Sequence, residues 1–303
     1  MTGAVSLPEP AADDWGFPRA VAGINALVSF GRARGVGADR LLSGTGLVPA
    51  ELAESGQEVI AAQEMRVVRN LRAVLGEVGL SVGETYRPAT FGAFGYAMLA
   101  SHTVLEAMQT ALRFIDLSFA FAIPRAELLA DEVVVSLDAT TLPPDVRRFL
   151  LERDASAVRT VLDGLVPGGV GARLQMQQDR AEIRFDAVEL KRPLAERSAD
   201  TLALAEAMCR DVVGRRRARD GFAQDVRVLI TQRLPRGAAM AEVASALGYT
   251  ERTLRRRLQV EGVGYQVLLD EVRSSMAAAL TSGLATMPVA ELAARLGYGS
   301  APA

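Results

Sequence analysis

The stretch EVASALGY at 242–249 returns as ELAARLGY at 291–298, an offset of 49 residues. Ala244 pairs with Ala293, Leu247 with Leu296, Gly248 with Gly297 and Tyr249 with Tyr298. Met240, Val243, Ala244 and Leu247 stand at i, i+3, i+4 and i+7, one buried face of a short helix. Gly248 supplies a turn that needs positive φ, and Thr250 can cap the helix that follows. Two helices meeting at a sharp turn need a small residue where they touch. They also need a glycine four residues on and an apolar anchor six beyond that. Ala244, Gly248 and Leu254 satisfy this spacing, so the segment is predicted to be a helix-turn-helix.

The second helix of that unit would turn Glu251, Arg252, Arg255 and Arg256 outward near its start, while Leu254 and Leu258 anchor it. That end of a recognition helix enters the major groove of DNA, where arginine bonds guanine O6 and N7 together. Arg257 on the same helix suits a phosphate contact. A solvated basic face on an ordinary helical hairpin would carry the same residues, and the repeat weighs against it. A long helix from Tyr265 to about Ser282, with Val267, Leu268, Val272, Met276 and Leu280 inward, would join the two units.

Charge is distributed accordingly. Residues 210–303 carry 14 basic and 9 acidic side chains, and residues 1–209 carry 20 and 27. An acidic body before a basic segment fits a sensor joined to a nucleic-acid reader. Residues 1–16 read as a loose, disordered tail, 17–209 as an α+β effector-binding or dimerisation domain, and 210–221 as a basic linker. Residues 222–303 read as an all-α domain with tandem helix-turn-helix units, at about 240–259 and 289–303.

In the N-terminal part, periodicity predicts helices over 19–34 and 63–77, the latter burying Met65, Val68, Leu71, Val74 and Leu75. Thr103 with Glu106 has capping-box spacing, and the helix it opens sets Leu105, Met108, Leu112 and Ile115 inward. Phe119, Phe121 and Ile123 alternate with small residues, and Val133, Val135 and Leu137 follow a turn at Ala130–Glu132, predicting a hairpin. A helix near 143–164, a second hairpin around Gln178–Arg180 and a long helix from Asp200 to Arg217 complete the domain.

One cysteine, Cys209, and one histidine, His102, rule out an intrachain disulfide and a Cys/His zinc site, and fit a cytoplasmic protein. No apolar run approaches the roughly 18 residues that span a bilayer. GGVG (168–171) lacks the Gly-Lys-Ser/Thr of a phosphate loop. No catalytic constellation and no cofactor motif is present, so an enzyme is not expected. Phe91, Phe94, Tyr96 and Met98, with His102, are candidates for an effector pocket, with core packing as the alternative for the apolar ones.

The C-terminal region resembles the AraC/XylS transcriptional regulators, on ALGYTERTLRRRL (246–258), DEVR (270–273) and PVAELAARLGY (288–298). Upstream, TFGAFGYAMLASHTVLEAMQTALRF (90–114) and AEIRFDAVELKRPL (181–194) resemble the arabinose-binding-type N-terminal domain of one subgroup. The resemblance implies an N-terminal domain that binds a small-molecule effector or forms a homodimer. It implies a C-terminal domain that binds promoter DNA and contacts RNA polymerase. By position in the family motif, Arg252, Arg255 and Arg256 read bases, and Thr250, Thr253 and Arg257 lie nearer the DNA backbone. The second unit departs from the family pattern: after Gly297 and Tyr298 the sequence reads GSAPA, with no reading helix. The second unit is therefore expected to be incomplete. The alternative to a promoter-binding regulator is then a truncated one without specific DNA binding, acting through N-terminal dimerisation.

Overall fold

The computed structural model describes residues 7–12, 15, 18–53, 57–195, 197–217, 221–281 and 288–298. Two apolar cores organise them. The first is built from a short β1 (Arg19–Ala20), α1 (Ala22–Arg32), α2 (Ala38–Leu42), β2 (Glu58–Val59), α3 (Ala61–Leu75), α4 (Gly79–Gly83), α5 (Ala93–Ala100) and α6 (Val104–Arg113). It continues through β3 (Arg125–Leu129), β4 (Glu132–Asp138), α7 (Arg147–Gly164), β5 (Arg173–Met176), β6 (Arg180–Asp186) and α8 (Ala199–Arg217).

β3 to β6 form one antiparallel sheet in the order β3-β4-β6-β5. In β6, Ala181, Ile183 and Phe185 are buried, while Glu182 and Arg184 between them are half-exposed and paired to each other. This period of two is what a sheet with one covered face requires. The register sets Val133 opposite Phe185 and Val135 opposite Ile183, so the buried face of β4 continues that of β6. α7 lies against β4, β5 and β6. Thr103 accepts from Glu106 N at 3.3 Å and caps α6, as its spacing predicts.

The second core holds α9 (Phe222–Arg233), α10 (Met240–Ala246), α11 (Glu251–Val260), α12 (Tyr265–Thr281) and α13 (Val289–Arg295). No strand occurs beyond Phe222 among the described residues. The whole is a mixed α+β region followed by a helical one.

Four expectations need correction. The first strand of the hairpin is Arg125–Leu129, not 119–123. Phe119 and Phe121 are buried all the same, because their segment crosses the core as a loop. Its Phe121 and Ala122 N–H groups bond Asp154 Oδ2 at 2.7 and 2.8 Å instead of a neighbouring strand. The stretch 1–16 is not loose throughout: Leu7 and Trp15 pack on the first core, and Ala11 N donates to Leu112 O at 2.9 Å. The basic linker begins as helix, since α8 runs on to Arg217, whereas residues 218–220 lie outside the described ones. Val267, expected inward on α12, is half-exposed, whereas Leu268 and Val272 are buried.

Candidate functional site

α10 and α11 meet across the turn at 247–250. Gly248 has φ +74°, a conformation costly to any side chain but glycine's hydrogen. Tyr249 N bonds Ala244 O at 2.9 Å and closes the end of α10. Thr250 is extended, and its Oγ1 accepts from Thr253 N at 3.3 Å, satisfying one of the unpaired amides that open α11.

α11 divides by face. Leu254 and Leu258 are fully buried in the second core. Glu251, Arg252, Arg255 and Arg256 are exposed, and Thr253 is half-buried. Arg252 and Arg256, one turn apart, make no hydrogen bond or ion pair among the described residues. Arg255 donates to Met240 Sδ at 3.8 Å. Arg257 differs. Its guanidinium lies 4.6 Å from the Phe222 ring centre and 4.9 Å from that of Tyr249, and it donates to Tyr249 Oη. That cation–π contact ties α11 to the start of α9.

The same corner holds a titrating group. Glu261 accepts from Phe222 N and Ala223 N at 2.7 and 2.8 Å, capping α9. Burial pushes the Asp225 carboxyl up to about 6; Glu261 adds to the rise and Arg257 opposes it. A carboxyl raised on folding binds its proton more tightly in the folded state. Its contribution is therefore favourable at low pH and is lost as pH rises from about 4 to about 6. Asp225→Asn is expected to stabilise the helical region above pH 7 by on the order of 2 kcal/mol and to change nothing near pH 4. Urea unfolding at the two pH values checks this; an equal effect at both would refute it.

In the second unit, the turn after α13 holds Gly297, at φ +70°, the counterpart of Gly248. A Cβ there would stand 2.0 Å from Leu234 O, so the unit seats on the 234–236 segment only with glycine. Arg273 Nε donates to Leu296 O at 3.2 Å, and its guanidinium covers the Tyr298 ring at 4.3 Å. The expectation that the second unit lacks a reading helix rests on residues 299–303, which lie outside the described ones.

The first core contains a cavity of about 110 Å³ between α5, α6, α7 and the sheet. Phe91, Phe94 and Met98, expected in an effector pocket, line it. Tyr96 and His102 do not. Tyr96 is 55% exposed, and His102 Nδ1 is exposed and 2.8 Å from Glu106 Oε2. Sequence reading missed Tyr86, Met108, Leu112, Ser118, Asp154 and Val161, which also line it. Tyr86, Phe91 and Phe119 form an aromatic wall, with the Phe91 and Phe119 rings stacked at 5.1 Å.

Beneath that wall lies a buried ionic cluster. Arg153 donates to Glu64 Oε1 at 2.6 Å, to Asp154 Oδ1 at 2.8 Å and to Phe119 O at 2.6 Å. Arg19 donates to Glu64 Oε2 at 3.3 Å and to Phe119 O at 3.1 Å. Burial pushes the Asp154 carboxyl up, while Arg153 and the two loop amides pull it back. The Glu64 neighbour on α3, Gln63, faces the other core. Gln63 Nε2 donates to Gln232 Oε1 at 2.8 Å, and Gln232 Nε2 returns a bond to Gln63 Oε1 at 3.1 Å. Gln232 also holds Glu58 O at 2.9 Å, and Ile60 inserts its side chain into the second core. Residues 63 and 64 thus link the helical region to a carboxylate that lines the cavity.

Comparison with known proteins bears on both regions. The model of the arabinose-binding domain of AraC transcription regulators, N-terminal, matches residues 35–189. The chain belongs to the AraC family of transcription regulators. It is similar to an uncharacterized HTH-type transcriptional regulator of Mycobacterium tuberculosis, 30% identical over 301 residues, covering 90% of this chain and 87% of that one. The ornithine utilization regulator of Pseudomonas aeruginosa is 25% identical over 251 residues, covering 75% and 74%. Among solved structures, the transcriptional regulator CdpR of Pseudomonas aeruginosa is similar at 25% identity and a TM-score of 0.49, over 92% of this chain and 91% of that one. No helix of this regulator is long and apolar enough among the described residues to cross a membrane.

Proposed function

We propose that this AraC-family chain is a sequence-specific DNA-binding regulator that controls promoter activity in response to a small molecule. The observation that carries the reading is the division of α11. Leu254 and Leu258 fix one face, while Arg252 and Arg256 project from the other with no hydrogen-bond or ion-pair partner among the described residues. Unpaired guanidiniums one helical turn apart suit paired contacts to guanine edges. Thr250 and Thr253, at the helix start, suit phosphate oxygens. Arg257, stacked on Phe222 and Tyr249, keeps its charge near the same backbone while holding α11 in place.

The effector would act from the cavity in the first core. Asp154 lines it, Arg153 bridges Asp154 to Glu64, and Gln63 next in sequence grips Gln232 of α9. A ligand that fits one arrangement of this chain better than another would bias the seating of the helical region. RNA polymerase and a second copy of the chain are the partners that family membership implies. Regulation in the cytoplasm, without catalysis, is the reading.

A salt titration of the protein on its own upstream DNA and on scrambled DNA tests this. Tighter binding to the upstream DNA is expected. The logarithm of affinity should fall linearly with that of salt, with a slope of about 0.9 per neutralised phosphate. Equal, weak binding to both DNAs would overturn specific reading and leave N-terminal dimerisation as the role.

A further inference from the structure

α11 carries four arginines and one acid, Glu251, which is its first residue. Glu251 is exposed and makes no hydrogen bond or ion pair among the described residues. Arg255 stands one turn on, at the spacing that pairs opposite charges along a helix. Its guanidinium turns instead to Met240 Sδ at 3.8 Å. A free carboxylate is therefore left at the end of α11 that the proposed function brings to DNA. An acid in the first turn suits the positive end of a helix. If that were its whole role, it would set a negative charge against a polyanion and weaken binding to every DNA sequence alike.

Resting on the reading of a sequence-specific DNA-binding regulator, we infer that Glu251 is a specificity residue that accepts a hydrogen bond from a cytosine amino group in the major groove. The base edges decide the partner. Guanine shows only acceptors there, and thymine shows an acceptor and a methyl group. A carboxylate, itself only an acceptor, is repelled by both. Adenine sets its N6 donor beside the N7 acceptor, whereas cytosine offers N4 with no acceptor next to it. Position follows from helix geometry. Glu251 precedes Arg252 by about 1.5 Å of helix rise, less than the step of about 3.4 Å between bases. A helix lying along the groove then sets the cytosine within about two base pairs of the guanine that Arg252 reads. The four arginines attract any DNA, and the carboxylate offsets that attraction wherever the cytosine is absent.

The test selects bound duplexes from a pool with a randomised centre, on the full chain, and sequences them. Wild type, Glu251→Ala, Glu251→Gln and Arg252→Ala are compared. Alanine and glutamine are both good helix formers, so the fold is kept at position 251. The wild type is expected to enrich a motif with a cytosine close to a guanine. Glu251→Ala should lose the cytosine preference and keep the guanine that Arg252→Ala loses. Glu251→Gln should move the preference from cytosine to adenine, whose N6 and N7 an amide side chain meets together. Affinities are then measured on a duplex of the wild-type motif and on its scramble. Glu251→Ala should lower the ratio of the two by about fivefold or more. Affinity for the scramble itself should rise, because a repelling charge is gone.

A cytosine preference that persists in either variant at 251 would overturn the inference. So would an unchanged ratio with both affinities raised, which would leave Glu251 its helix-end role alone. A fall in both affinities with a lowered melting temperature would also overturn it, since Glu251 would then act through the stability of α11. A wild-type motif with no cytosine near the guanine of Arg252 sinks this inference and leaves the regulator reading standing. A wild type that enriches no motif sinks the regulator reading, and the inference with it.

Discussion

Replacing Arg252 and Arg256 together with alanine is expected to lower affinity for a specific site by about two orders of magnitude or more, with thermal unfolding unchanged. A bidentate arginine–guanine contact discriminates by ~1–3 kcal/mol, and each ~1.4 kcal/mol is tenfold in affinity. Both side chains are exposed and neither has a partner among the described residues, so little folding free energy should be lost with them. Alanine is also the better helix former. Affinity for scrambled DNA should fall far less, because the other basic residues of the segment still meet phosphate. The quantity to measure is the ratio of the two affinities at one fixed salt concentration. A ratio that survives the double substitution would remove α11 as the reading element. Loss of both affinities together, with a lowered melting temperature, would mean that the substitution unfolds the helical region and that α11 is structural.

What the sequence reveals here depends on distance along the chain. The helix-turn-helix is legible because its determinants, Ala244, Gly248 and Leu254, act within eleven residues. Capping, turn and anchoring are local physics. The cavity is not legible in the same way. Its lining is drawn from Tyr86, from 91–98, from 107–126, from Val135 and from 154–165, and only the fold brings these together. Phe91, Phe94 and Met98 could be nominated from their apolar clustering. Tyr96 sits among them in sequence but turns to solvent on its helix. Tyr86 carries no local signal, because nothing beside it in the sequence marks it as a cavity wall. The strand misread at 119–123 has the same cause. Phe119 and Phe121 alternate because a loop passes through the core, and the carboxylate that satisfies its amides lies more than thirty residues away on α7. Buried charges on α7 blur its apolar stripe too, since Arg153 and Asp154 are as inaccessible as Phe149 and Leu150.

Those buried charges set the second large effect. Arg153→Met is expected to destabilise the N-terminal region by ~3–5 kcal/mol, the cost of removing one partner from a buried ion cluster. Arg153 is fully buried and holds Glu64, Asp154 and Phe119 O at once. Methionine fills similar volume but removes the guanidinium that bonds both carboxylates and leaves Glu64 its bond from Arg19. Burial already pushes the Asp154 carboxyl up and Arg153 opposes it, so without Arg153 it would resist ionisation further in the folded state, and the variant's deficit should be larger at pH 8 and smaller at pH 5. Trp15, the chain's one tryptophan, has its ring 5.6 Å from that of Phe121, which lies under both guanidiniums. Its fluorescence therefore follows this cluster during urea unfolding. The companion variant Arg153→Met/Glu64→Leu removes a charge of each sign and should recover part of the loss, because a buried ion pair replaced by apolar groups of like volume is often near neutral. A deficit below ~1 kcal/mol for the single variant, or none recovered by the pair, would mean that water reaches the cluster in solution. The route from Asp154 through Arg153 and Glu64 to Gln63 would then not be the rigid connection between cavity and helical region that its hydrogen bonds describe.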